Sequence, residues 1–323
     1  MAQFPSDEQV IKAVDSAGWL LEQQAVRALD NQGFGTRPNW AFRDPDEPTV
    51  SRELDVWAYK NYYGDTTTKL TVSAIVLVEC KQSDLPYCAI GQQLPEYRQI
   101  GNPTEHTLPV RYVPQAFDSG RNRLEFDYTW DVLGFRSIML QHGFTNFRAT
   151  QLTRLDRKGD QWLASNAGIF PSLTYPLAKA IRASQLDATR TLKSWPGPNS
   201  FGGVGPMERR NWVSYTLRFP VILISCPLYV IDASTHQVKL EHARWVRLQR
   251  HLVSDTVKGL FEFDVVTRDN FDDYLKTVVE GMSEHVARTV QSAPLRYTGE
   301  DCWPQGVPED GKYGSIYTPE DFA

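Results

Sequence analysis

The sequence is short of everything that would mark it for export, for a membrane or for a zinc centre. Its four cysteines, Cys80, Cys88, Cys226 and Cys302, form no CxxC pair and no Cys/His spacing suited to zinc, so a reduced compartment fits better than a disulfide framework. No basic start precedes an apolar run with a small-residue cleavage site, and no run approaches the ~18 apolar residues of a membrane span. A cytoplasmic protein without a membrane partner is therefore expected. Positive charge is also scarce: the formal net charge is −5, which argues against a general field for polyanions and makes any nucleic-acid groove a local feature. The six histidines show no ligand spacing and read as structural. Phosphate-cradling glycine loops, nucleophile elbows, internal repeats and low-complexity tracts are missing too.

What is present is ordinary for a soluble, folded chain. A hydrophobic share of 41%, an aromatic share of 12% and 323 residues are enough for one elaborated α/β domain or two smaller ones, at about 150 residues per domain. Ser6 and Gln9 have the form of a capping box, and the helical pattern after them runs to about Asn31, with Gly18 as a possible division. In its second half Trp19, Ala25, Val26 and Leu29 recur on one side, and Glu22 lies within that apolar stripe. Residues 36–50, with three prolines, read as an irregular connection or an edge segment.

Two strands follow. RELDVWAY, residues 52–59, alternates, with Asp55 facing away from Leu54 and Val56. LTVSAIVLVECK, residues 70–81, is apolar and β-branched, as a central strand covered on both sides should be. It ends in Glu79 and Lys81, which share a face, while Cys80 turns the other way. From about 91 to 205 the pattern is less regular, with a helix near Leu177–Leu192 and a glycine- and proline-rich loop from Trp195 to Pro206. Strand signals return over 212–219, 221–231 and 243–248. Asp269 and Asp272 then open an amphipathic helix through Phe271, Leu275, Val278, Met282, Val286 and Val290. The expected organisation is a core over 1–115, a partly helical insertion over 116–210, and strands with a helix over 211–323 that could complete the same domain.

If the two strands pair antiparallel, Asp55 and Glu79 meet at one end of the hairpin. Phosphodiester hydrolysis needs an activated water and neutralised charge on phosphorus. Mg²⁺, a hard cation held by one or two carboxylates plus water and substrate, would find its ligands in such a pair. Lys81 could hold or deprotonate the water, or stabilise charge on the phosphate, and the residues alone leave both roles open.

Glu22 in WLLEQQAV, Asp55 in RELDV and Glu79-Cys80-Lys81 in LVECKQ together resemble the PD-(D/E)xK, or restriction-endonuclease-like, nucleases, with Leu54 in place of the proline. The resemblance covers about the first hundred residues. It implies an α/β core with a mixed sheet flanked by helices, to which the helical insertion and the C-terminal strands would be added. It also implies Mg²⁺- or Mn²⁺-dependent cleavage of DNA, less often RNA, with Glu22, Asp55 and Glu79 as metal ligands and Lys81 at the water. Restriction, phage defence or DNA repair would be the setting. Gln93 and Tyr97 resemble the Q-hydrophobic-x-x-Y element of the recombination exonuclease branch, which would bring both towards the active site or the DNA backbone.

Other readings stand beside this one. Glu79 and Lys81 could be a strand-end ion pair worth about 0–1 kcal/mol, and Glu22 could pair with a core arginine. The basic groups Arg121/Arg123, Arg154/Arg157/Lys158 and Arg244/Arg247/Arg250 read as solvated faces, whereas Arg209 and Arg210 beside the glycine-rich loop are candidates for phosphate contacts. A nuclease-like scaffold or nucleic-acid-binding subunit, acting through a partner protein or as a homo-oligomer, is the rival function.

Overall fold

A computed structural model describes residues 4–95, 104–194 apart from 120, 122, 136, 166 and 167, 212–298 and 315–317. Helix α1 (Asp7–Ser16) starts at the Ser6–Gln9 capping box, whose two reciprocal hydrogen bonds are both formed. It stops before Gly18, which takes φ +90° and begins α2 (Trp19–Asn31). The buried stripe of α2 is Leu21, Ala25, Ala28 and Leu29. Trp19, expected in that stripe, points outward with 62% of its surface exposed.

Three strands then form an antiparallel meander: β1 (Gly35–Arg43), β2 (Ser51–Asp65) and β3 (Leu70–Lys81). Of the two readings of 36–50, the first part is the edge strand β1, which tolerates Pro38 because one side of an edge needs no N–H donor, and the rest is the connection to β2. β3 is covered on both faces. Val72, Val76, Val78 and Cys80 pack with α2 in one core, and Ile75 and Leu77 pack in the other.

The remaining strands of the main sheet are β4 (Tyr87–Gln93), β7 (Phe147–Lys158), β8 (Gln161–Ser165), β9 (Val213–Ile224), β10 (Leu228–Asp232), β11 (Lys239–Ala243), β12 (Trp245–Val253) and β13 (Lys258–Thr267). The order is β1-β2-β3-β9-β13-β12-β7-β4-β10-β11, with β8 on β7. β9 runs parallel to β3 along its whole length, and β13 runs parallel to β9. β12 and β7 meet at a single bridge, Leu248 with Ala149. β5 (Tyr112–Asp118), β6 (Arg123–Tyr128) and β14 (Ser315–Tyr317) form a separate three-stranded sheet.

Helices cover both faces, giving an α/β structure with a large mixed sheet. Short α3 (Thr129–Val132) and α4 (Ile138–Gln141) lie between β6 and β7, and α5 (Tyr175–Ser194) places Leu177, Ala178 and Ile181 against the Ile75–Leu77 face. On the opposite face, α6 (Phe271–Tyr274) and α7 (Gly281–Ser292) are joined by a π-helical stretch, Leu275–Glu280. All six apolar positions expected for this helix are buried, each worth roughly 1.5–3 kcal/mol of transfer free energy.

Within the described part of 116–210, β7 lies in the main sheet and α5 packs against β3 and β9, while β6 belongs to the separate three-stranded sheet. The strand signal over 212–219 and the first part of the one over 221–231 form one strand, β9, and the rest of the latter is β10. The β9–β13 ladder begins at Val221, so the missing N–H of Pro220 falls outside it.

Candidate active site

The local geometry of the hairpin decides where Asp55 goes. The β2–β3 ladder runs from Asp65–Leu70, through a one-residue bulge between Asn61 and Tyr63, to Val56–Val78 and ends there. Beyond it, Asp55 Oδ2 accepts the backbone N–H of Cys80 at 2.6 Å, so a side chain continues what the backbone pairing stopped. On the other side, β1 pairs Pro38 with Val56 and Trp40 with Leu54, and the intervening Asn39 takes φ +50°. Asp55 thus sits at a local interruption of both ladders, anchored between Glu79 and Lys81.

Glu79 and Lys81 share the face of Ile75 and Leu77 by strand alternation, and Lys81 Nζ lies 2.8 Å from Glu79 Oε1. Glu22 arrives from α2. A Cβ at Gly18 would stand 3.3 Å from Gln82 Cβ, so the start of α2 is pressed against the residue that follows β3. One turn further on, Glu22 feels the charges of Asp55, Glu53 and Lys81. Asp55, Glu79 and Lys81 are thus gathered at the end of β3, with Glu22 within electrostatic reach of them.

The electrostatics are those of a site with too many carboxylates for its one lysine. Burial, then the charge of Asp55, pushes Glu79 up to about 7 in spite of Lys81. Burial also raises Asp55, against the pull of the Cys80 hydrogen bond and of Lys81. Burial and the charges of Asp55 and Glu53 raise Glu22. For Lys81, burial favours the neutral amine, but Glu79 and Asp55 outweigh it and the ammonium is strengthened. A charged Lys81 can orient water or neutralise a phosphate oxygen before it can act as a base. The Cys80 thiol is pushed well up by burial and by the same carboxylates, so it is held protonated and is no nucleophile.

These donors suit a hard divalent cation: carboxylate oxygens with raised proton affinity. Among the described residues no three His, Cys, Asp or Glu side chains form a ready-made metal cage. Mg²⁺ does not require one, because one or two carboxylates, waters and a substrate phosphate fill its shell.

One neighbour of Lys81, and the arginine beside it, carry no signal in the sequence. Tyr87 opens β4, and its phenol, raised chiefly by burial, lies within electrostatic reach of Cys226, Arg154, Lys81 and Asp156. Arg154 is its cross-strand partner on β7 and bonds Asp156 at 2.6 Å. Sixty-seven residues separate them in the chain, and only the β4–β7 pairing makes them adjacent.

Other expected residues lie apart from the carboxylates or outside the described residues. Gln93 ends strand β4, and its amide donates to Asp232 at 3.0 Å. It stands six residues beyond Tyr87, roughly 20 Å along a strand at ~3.3 Å per residue, which removes it from the carboxylates. Tyr97, Arg209 and Arg210 lie outside the described residues. Arg247, read as part of a solvated face, is buried and paired to Asp264 at 2.7 Å and Glu262 at 3.1 Å. Compared with known protein families, characterised proteins and solved structures, the chain gives no match.

Proposed function

We propose that this protein is a metal-dependent nuclease that hydrolyses phosphodiester bonds, with DNA as the first substrate class to test. The observation that carries this reading is the anchoring of Asp55 on the N–H of Cys80, between Glu79 and Lys81, with Glu79 raised to about 7. Asp55 and Glu79 would hold Mg²⁺ or Mn²⁺, with Glu22 as an auxiliary ligand. When bound, the cation would lower the pKa of a water and neutralise charge on phosphorus. Lys81 would orient the attacking water and oppose charge on a non-bridging oxygen. The order of helix α2, hairpin and E-x-K strand end supports the likeness to the PD-(D/E)xK nucleases, and a role in restriction, defence or repair rests on that likeness alone.

The test is incubation of the purified protein with supercoiled, linear and single-stranded DNA and with RNA, in Mg²⁺ or Mn²⁺. Lys81→Ala should keep the fold and lower kcat by about 10²–10⁴-fold. Asp55→Asn should keep the Cys80 hydrogen bond through its amide oxygen and lose cleavage. Equal cutting by either variant, or cutting in excess chelator, would sink the mechanism. The rival reading, a nucleic-acid-binding scaffold, is favoured by the Glu79–Lys81 pair, which partly satisfies itself at 2.8 Å. Calorimetric titration with Mg²⁺ separates the two, since a scaffold has no need of metal at these carboxylates.

A further inference from the structure

The end of β3 that carries Glu79 and Lys81 is one part of a longer rim. Lys81 is in register with Ile224 of β9, and Ile224 with Thr267 of β13. Three parallel strands therefore finish in one row, and ligands of α/β sheets commonly bind outside such carboxyl ends. At about 4.8 Å between strands, the far end of the row lies roughly 10 Å from Lys81. On the α2 face of that row, the face of Cys80 and Leu223 and opposite the one that Glu79 and Lys81 share, a pocket of about 220 Å³ opens between α2, the end of β9 and the start of α6. That is below the ~300–1,000 Å³ of drug-sized ligand sites and suits one small group.

Its floor is apolar, with Ala25, Ala28, Leu223 and Phe271, and its walls are polar. From α2 come Gln24, Arg27 and Asn31, which recur at helical spacing on one side. Arg268, directly after β13, faces them, and Asp272 is the one acidic residue of the lining. Arg27 is exposed and, among the described residues, makes no ion pair or hydrogen bond. Arg268 has only loose pairings, with Asp269 at 3.6 Å and Asp15 at 4.0 Å. Two guanidiniums and two amides thus converge on a small pocket in a protein whose net charge is −5. Glu22, half-buried, stands five residues before Arg27 on the same helix.

We infer that this pocket is a phosphate subsite, in which Arg27 and Arg268 hold a backbone phosphate of the nucleic acid whose scissile bond lies at Lys81. The inference rests on the nuclease reading and adds to it the direction of the strand, from the end of β3 across β9 to β13. Arg27 follows Glu22 by five residues on α2, about 7.5 Å at ~1.5 Å per residue, or roughly two nucleotides at ~3.4 Å each. Guanidinium suits the task because its planar fork can donate two hydrogen bonds to one phosphate. Gln24 and Asn31 supply further N–H donors, and the acidic net charge makes such a local contact the more necessary.

The experiment measures binding of a short fluorescein-labelled DNA duplex by anisotropy, with Ca²⁺ in place of Mg²⁺ to separate binding from cleavage, over a series of salt concentrations. Arg27→Ala and Arg268→Ala should each weaken binding by about 3–10-fold and reduce the slope of log Kd against log salt by about 1. Arg27→Lys should restore the slope. Calorimetric Mg²⁺ binding should be the same in both alanine variants as in the wild type. Unchanged Kd and slope in the alanine variants, or no duplex binding by the wild type, would overturn the inference. Asp55→Asn is the separating control, because loss of cleavage with retained DNA affinity upholds the nuclease reading whichever way the arginine variants behave.

Discussion

Asp44 and Asp46, in the connection between β1 and β2, are as firmly enclosed as Asp55 and Glu79, yet their protons are held in the opposite sense. Asp44 takes Lys179 Nζ at 2.7 and 2.9 Å, Arg52 Nε at 2.6 Å and the backbone N–H of Asp46 and Glu47. Asp46 takes Thr256 Oγ1 at 2.6 Å, the Thr256 N–H, Ser254 Oγ and the Tyr175 hydroxyl. Burial pushes both carboxyls up, but these partners outweigh it, lowering Asp44 and holding Asp46 down to about 2. The clasp ties β1 and β2 to α5 and to the β12–β13 turn, and every oxygen in it is used. At the end of β3 the same residue types lack enough partners, and Glu79 rises to about 7. A carboxylate kept for structure is satisfied within the fold; one left unsatisfied can accept something the fold does not contain.

The largest test of that contrast falls on the clasp. Lys179→Met removes the cation between Asp44 and Asp46 and should cost about 3 kcal/mol in urea unfolding, the low end for breaking a buried pair, because Arg52 remains. Residual cleavage by the folded fraction should match the wild type. Glu79→Gln is the converse and should be smaller. It removes an ionised carboxyl that burial disfavours, so the metal-free protein at pH 8 should gain on the order of 1–3 kcal/mol while cleavage is lost. A loss of stability from Glu79→Gln would place Glu79 with the structural carboxylates and erase the difference.

How much of this could be read beforehand depends on the range of the interactions. The four central residues were legible because each signal is local: a strand that stays apolar for nine residues and then ends in E-C-K, and an alternating strand before it with one acidic position. The division of the N-terminal helix at Gly18 was legible for the same reason. Arg154 beside Tyr87 was not, because only the pairing of β4 with β7 makes them neighbours. Arg247 was misread as solvated because its carboxylates arrive from β13, 15 and 17 residues later, and nothing in HARWVRLQR announces them. Gln93 closes the β-rich run YCAIGQQ, and that run was a stronger local signal than the short motif. The Asp44–Asp46 clasp was invisible as well, since a proline- and acid-rich stretch looks alike whether it is a free loop or has its charges buried by a helix 135 residues away.

The smallest predicted effect is also the one that most directly separates the two clusters, because it depends on pH. The native Asp46 carboxyl lies below its ordinary value, so its contribution to stability is full above about 4 and is lost as pH falls towards about 2. Glu79 has the opposite sign. Its native carboxyl keeps a proton between about 4.5 and 7 that the unfolded chain releases, so metal-free stability should fall as pH rises through that window. A divalent cation needs the ionised form and must displace that proton, so its binding should strengthen over the same interval. Thermal melts with and without Mg²⁺ should therefore show a small difference in Tm at pH 5.5 that widens by a few degrees at pH 8. The widening should vanish in Glu79→Gln and survive in Lys179→Met. A Mg²⁺ effect independent of pH, or one retained by Glu79→Gln, would mean that the cation binds elsewhere and that the raised carboxyl at the end of β3 is a cost the fold bears for some other reason.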